Sequence, residues 1–178
     1  MRELGGERLI LRLVEVEAYL GPEDRASHTW GGRRTARVAS MWLGGGHAYV
    51  YFVYGLHYCL NVVCGEPGEG TAVLLRAGEA VAGAARMAAL RGLAHAPRPG
   101  ELAGGPARLC AALAVDRRLD GASLLAGELH LAAGEPVADD EVARGPRVGV
   151  AYAGKAARWP LRFALAGHRE TSRPRLGG

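Results

Sequence analysis

The sixteen residues from Ala48 to Val63 (Ala-Tyr-Val-Tyr-Phe-Val-Tyr-Gly-Leu-His-Tyr-Cys-Leu-Asn-Val-Val) constrain the fold more than any other stretch. β-Branched and aromatic side chains suit a pleated, half-buried surface, and glycine supplies the backbone freedom of a tight bend. The segment therefore reads as two strands folding back on each other around Tyr54, Gly55 and Leu56. Of the chain's six tyrosines, Tyr49, Tyr51, Tyr54 and Tyr58 all lie here. A bend surrounded by water has no need of a large aromatic at its tip. Two readings fit: a tip docked on another part of the core, or an apolar wedge able to enter a stack of bases.

The second informative segment runs from Arg8 to Leu20 and ends at Gly21-Pro22, which cannot easily continue a ladder. Its apolar positions are first the odd ones, Leu9, Leu11 and Leu13, and then the even ones, Val14, Val16 and Ala18. A change of parity implies a bulge or a strand buried on both faces. Glu15, Glu17 and Tyr19 then share one face, at spacings of roughly 6.6 Å. Carboxylates on so apolar a strand are costly unless solvated, paired or used. The segment is either a solvent-facing sheet edge or the carrier of a general base.

The 22 basic and 18 acidic residues leave a net charge of +4, a mild excess compatible with a phosphate-backbone partner. Lys155 is the single lysine. Strand cleavage through an amine Schiff base needs such a group, so a water-attacking mechanism is favoured. Three cysteines, Cys59, Cys64 and Cys110, lack metal-like spacing and read as reduced, mostly buried thiols. The sequence carries no zinc-deaminase signature and no phosphate-binding loop, so no cofactor or metal is expected. No long apolar span or signal peptide is evident, which predicts no membrane association and a cytoplasmic bacterial protein that meets the nucleoid through DNA.

Several segments, in order, carry a resemblance. They are Val14-Glu-Val-Glu-Ala-Tyr-Leu-Gly-Pro-Glu-Asp24, Ala26-Ser-His28, Gly31-Gly-Arg33, the hairpin through Asn61, and Ala72-Val-Leu-Leu-Arg76. Gly105-Pro-Ala-Arg-Leu-Cys110, Arg147-Val-Gly-Val150 and Pro160-Leu-Arg-Phe163 complete the set. This ordered set resembles the alkyladenine (3-methyladenine) DNA glycosylase family over nearly the whole chain. The resemblance implies a monofunctional glycosylase acting on double-stranded DNA that contains alkylated or deaminated purines, working as a monomer. It implies Glu17 as general base, with Arg76 and the carbonyl of Val148 holding the water. Tyr19, His28 and Tyr51 would stack the extruded base, and Asn61 would reject the amino group of normal guanine. Tyr54 would fill the gap in the duplex with Leu56 beside it, while Arg33, Thr35 and Arg37 would touch phosphates. The alternative is a damaged-DNA binding module with impaired catalysis.

Those roles require a particular hairpin register. A two-residue loop over Tyr54 and Gly55 would turn Tyr51 away from Asn61. A three-residue loop over Tyr54, Gly55 and Leu56 pairs Tyr49 with Asn61 and Tyr51 with Cys59, all on one face. An odd-length loop or a bulge is therefore expected. The remainder reads as scaffold: a helix over 80–93, a short helix opened by Pro106, a loop over 94–105, and strands over 72–77, 129–132, 147–152 and 161–165. The resulting fold is a single α+β domain over 1–178, with a curved, mainly antiparallel sheet, a protruding hairpin at about 48–63 and flanking helices. A frayed tail is expected from 170 to 178. The chain begins closer to the Glu17 strand than family members do, which bears on stability more than on chemistry. Trp30, Ala36 and the run from Trp42 to Gly46 also depart from the family pattern.

Overall fold

In the computed structural model, residues 1–176 are described. Among them, seven strands form one sheet: β1 (Arg2–Leu4), β2 (Glu7–Tyr19), β3 (Ala48–Val53), β4 (His57–Cys64), β5 (Thr71–Ala82), β6 (Val142–Gly145) and β7 (Arg162–Leu165). Their spatial order is β3-β4-β5-β2-β7-β6, with β1 pairing to β2, and every pairing is antiparallel. Two short helices, α1 (Ala84–Leu90) and α2 (Pro106–Ala112), lie against it, with α2 opened by its proline as expected. The mixed α+β architecture inferred from the sequence is the observed one.

The β2 strand occupies the middle of the sheet, between β5 and β7. Leu13 pairs with Gly78 and Glu15 with Ala77, so Val14 is the extra residue that the parity change implied. Below the sheet, Leu9, Leu11, Val50, Leu60 and Leu75 pack on Met87, Leu109 and Leu113. Burying each large apolar side chain contributes about 1.5–3 kcal/mol, before entropy costs, and fixes which face of the hairpin looks inward. The opposite face carries Tyr49, Val63 and Ala72, covered by Val38 and Met41 from a 3-10 segment, Ala36–Trp42.

Some local expectations are overturned. The β5 strand runs on to Ala82 because Glu79, Ala80 and Ala82 pair with Arg12, Leu11 and Ile10 of β2. Sheet partners thus override the helix propensity of the alanine-rich run. Helix α1 starts only after Gly83, whose φ of +76° and close approach to Leu9 leave no room for a Cβ. Residues 147–152 form a loop entering a 3-10 segment, Ala151–Arg158, rather than a strand. Over 129–132 there is only an isolated bridge from Leu129 to Arg2. The tail is docked rather than frayed from 170 to 176. Thr171 and Ser172 are buried, and the backbone carbonyls of Ser172 and Pro174 accept bonds from Arg162. Residues 177 and 178 of that expectation lie outside the described residues.

Candidate active site

The hairpin has the three-residue loop. Pairs run from Ala48 with Val62 to Val53 with His57, setting Tyr49 opposite Asn61 and Tyr51 opposite Cys59. This register brings Tyr49, Tyr51, Cys59 and Asn61 onto one wall of a cavity of about 380 Å³. Tyr19, His28, Arg76 and Val148 line the same cavity, and Tyr54 and Tyr152 stand at it as well.

Glu17 lies immediately behind that lining. Its side chain is fully buried, which excludes the solvent-facing edge. One carboxylate oxygen accepts the Tyr19 hydroxyl at 2.9 Å; the other accepts the Val148 amide at 2.7 Å, with Arg76 Nη1 at 3.3 Å. Val148 therefore meets Glu17 through its N–H, a contact the sequence did not suggest. Burial, and then the charge and hydrogen bond of Glu17, push the Tyr19 phenol well above its usual range, so it remains a neutral donor.

Glu15 shares the buried setting. Burial alone would raise its carboxyl, but the bonds from Ser172 and the Arg76 and Arg162 guanidiniums outweigh it and hold it below the usual range. Arg76 thus sits between two carboxylates, donating from Nε to Glu15 at 2.9 Å.

The aromatic wall is mutually braced. His28 Nδ1 lies 2.7 Å from the Tyr49 hydroxyl, and its ring meets Tyr51 edge-on at 4.7 Å between centroids. Tyr49 and Tyr51 stack at 5.4 Å. Burial, followed by the nearby charges of Arg37 and Arg33, lowers His28 to about 4, so the imidazole is neutral at pH 7. Burial also keeps both phenols protonated. The Asn61 amide donates to the Tyr49 carbonyl at 3.1 Å, which fixes it across the hairpin.

At the tip, Tyr54 is 88 % and Leu56 76 % exposed, so neither docks on the core. Tyr54 also adopts φ +54°, a left-handed conformation costing a non-glycine residue roughly 1–2 kcal/mol. Arg33, Thr35 and Arg37 are exposed, and Arg37 also lines the cavity. The Thr35 side chain makes no capping bond at the 3-10 segment it precedes, and Arg37 reaches back to the Phe52 carbonyl at 3.3 Å.

Tyr49, Tyr152 and the pair Asp24–Arg147 are the parts missing from the sequence-derived site. Arg147 pairs with Asp24, bonds to the Ala18 carbonyl at 2.8 Å, and places its guanidinium 4.7 Å from the Tyr19 ring centroid. It holds the Val148 loop against the end of β2. Tyr49 was signalled by its parity with Tyr51 and Asn61. The Asp24–Arg147 pair joins residues 123 apart and left no local pattern.

A slot walled by aromatic rings, with a carboxylate at its back and an exposed apolar tip beside it, suits a hydrolase acting on a flat ring system held outside its usual stack. Residues 1–169 match the family described as methylpurine-DNA glycosylase (MPG). A Streptomyces avermitilis protein provisionally named a 3-methyladenine DNA glycosylase is 51% identical over 152 residues, 84% of this chain and 70% of its own length. Proteins with the same provisional name from Desulfitobacterium hafniense and Methanocella arvoryzae are 41% and 44% identical. They align over 93% and 92% of this chain, and over 83% and 80% of their own lengths. The chain belongs to the methylpurine-DNA glycosylase family. It is an N-glycosyl hydrolase of the 3-methyladenine type, a DNA-repair enzyme whose partner is DNA. Among the described residues, no helix is long and apolar enough to cross a membrane.

Proposed function

We propose that this enzyme extrudes alkylated or deaminated purines from duplex DNA and hydrolyses their N-glycosidic bond without cutting the strand. The observation that carries the reading is the Glu17 carboxylate, fully buried yet placed behind a cavity that Tyr19, His28, Tyr51 and Asn61 share.

Glu17 takes a proton from water as the water oxygen bonds to the sugar C1′ and the C1′–N bond breaks. The bonding pair leaves with the base: a cationic alkylpurine departs neutral, and a neutral base such as hypoxanthine takes up the proton that Glu17 received from the water. Arg76 and the Val148 backbone, already in contact with Glu17, would hold the water between them. Extrusion costs a few kcal/mol, least for damaged bases. Tyr54 offsets this by occupying the vacated stack, with Leu56 beside it. Tyr19, His28 and Tyr51 grip the base by its faces, and an electron-poor alkylated ring gains most from such contact. A neutral His28 matters here, since an imidazolium would repel a cationic base. Asn61 would meet the exocyclic amine of a normal guanine and reject it. Arg33, Thr35 and Arg37 would follow the backbone, and the enzyme would act as a monomer in the cytoplasm.

The deciding experiment is single-turnover incubation with duplexes containing hypoxanthine or 3-methyladenine. Free base should be released, and the strand should break only after alkali. A lesion duplex that binds but yields no free base would replace the enzyme by a binding module.

A further inference from the structure

All three nitrogens of the Arg76 guanidinium are held. Nε donates to Glu15 at 2.9 Å, Nη2 donates to the Ser172 hydroxyl at 3.0 Å, and Nη1 lies 3.3 Å from Glu17. Only the last partner faces the cavity chemistry; the other two come from behind. Glu15 is itself fixed by Arg162 Nε at 2.7 Å, and by the backbone amide and hydroxyl of Ser172 at 2.5 and 2.8 Å. Arg162 in turn donates to the Ser172 and Pro174 carbonyls. Upstream, Glu170 accepts the Gly100 amide at 2.8 Å and Thr171 bonds to the His168 carbonyl, so the strap is tied on both sides of Ser172.

From this network we infer that Glu15 and Ser172 are positioning residues. The C-terminal strap 170–174 clamps Arg76 from behind and so fixes the guanidinium against the Glu17 carboxylate. The inference rests on the role proposed for Glu17. The Ser172 hydroxyl is the joint of the clamp, because it donates to Glu15 and accepts from Arg76 at once. Without it, Arg76 Nη2 is left buried without its partner and can rotate about the Nε bond to Glu15. Its Nη1 then leaves the direction of Glu17. A misplacement of about 1 Å at a reacting constellation can cost about 10²-fold in rate. Ser172 is not among the described residues that line the aromatic cavity, so lesion affinity need not change with it.

The test compares Ser172→Ala and Ser172→Thr with the parent and with Glu17→Gln, measuring single-turnover base release, lesion-duplex affinity and thermal midpoint on each protein. Ser172→Ala should lose about tenfold or more in the excision rate at saturating enzyme, while its affinity stays within about twofold. Ser172→Thr, which keeps both the amide and a hydroxyl, should recover most of that rate. Excision by Ser172→Ala at the parental rate would overturn the clamp. So would a rate loss that tracks weakened binding or unfolding at the assay temperature, or one that threonine does not rescue. Glu15→Gln gives a second reading, with its rate falling while affinity holds. Should Glu17→Gln itself excise normally, the assignment of the base fails; a dead Glu17→Gln beside a parental Ser172→Ala removes the clamp alone.

Discussion

Replacing Glu17 with glutamine changes the charge of the site and almost nothing of its shape. In the parent, one carboxylate oxygen faces two donors, the Val148 amide at 2.7 Å and Arg76 at 3.3 Å; the other faces the Tyr19 hydroxyl at 2.9 Å. A glutamine can satisfy this by presenting its carbonyl to Val148 and Arg76 and its amide to Tyr19, whose oxygen then accepts. No buried polar atom needs to be orphaned, so the cost in folding is the lost attraction to Arg76, which keeps Glu15 as a partner. The catalytic loss is of another size. Removing a general base typically costs about 10²–10⁴-fold, which corresponds to roughly 3–5 kcal/mol of transition-state stabilisation. The assay is single-turnover release of hypoxanthine with enzyme in excess, alongside a titration of lesion duplex. The expected outcome is a rate at least 10²-fold down, with affinity retained. A Glu17→Gln protein that excises within tenfold of the parent would refute the argument that this carboxylate activates water, whatever its burial suggests.

Three further outcomes are expected. Tyr54→Ser should slow excision from paired duplex more than from single strands, because only the duplex requires a plug; equal effects in a side-by-side time course would exclude a wedge. His28 resists protonation in the folded state, so the unfolded chain binds the extra proton between its ordinary value near 6.5 and about 4. Stability should therefore fall as the pH drops through that window, by no more than about 3 kcal/mol; urea titrations of the parent and of His28→Asn would show parallel pH curves if the imidazole were not responsible. Asp24→Asn leaves the buried Arg147 guanidinium without its counter-charge and should cost about 3–5 kcal/mol, read as a lowered urea midpoint, whereas an unchanged midpoint would mean that the pair carries no stability.

What was legible in the sequence was what repeats at short range. Parity within Ala48–Val63 fixes which residues share a face once the loop length is set, and it located Tyr51 and Asn61 on one wall together with Tyr49. The parity break at Leu13 and Val14 marked the bulge that Glu15 and Ala77 define. The approximate bounds of β2 followed from Gly21-Pro22. Illegible were arrangements decided by distant partners. The alanine-rich run after Gly78 satisfies a helix pattern, and only the presence of β2 beside it keeps it extended as far as Ala82. The tail has little apolar content to advertise docking. What holds it is polar, a buried carboxylate 157 residues away that needs the donors Ser172 supplies.

Much charge lies inside this domain. Glu15 and Glu17 face Arg76 and Arg162, two negative charges against two positive, and Asp24 with Arg147 forms a separate neutral pair. Buried ion pairs seldom stabilise a fold more than well-packed apolar residues of equal volume, because desolvation consumes most of the attraction. Stability alone therefore does not account for six buried ionised side chains in one region of a small sheet. Their placement does: Arg76 contacts Glu17, Arg162 orders the Glu15 and Ser172 that hold Arg76, and Arg147 braces Tyr19 and the Val148 loop, which both bond to Glu17. Replacing Glu15, Glu17, Arg76 and Arg162 together by methionine or leucine removes two charges of each sign and leaves no lone ion, so the protein should stay folded with a near-parental urea midpoint while base excision is gone. A quadruple variant that unfolds as readily as one with a lone uncompensated charge would show instead that the network is chiefly structural.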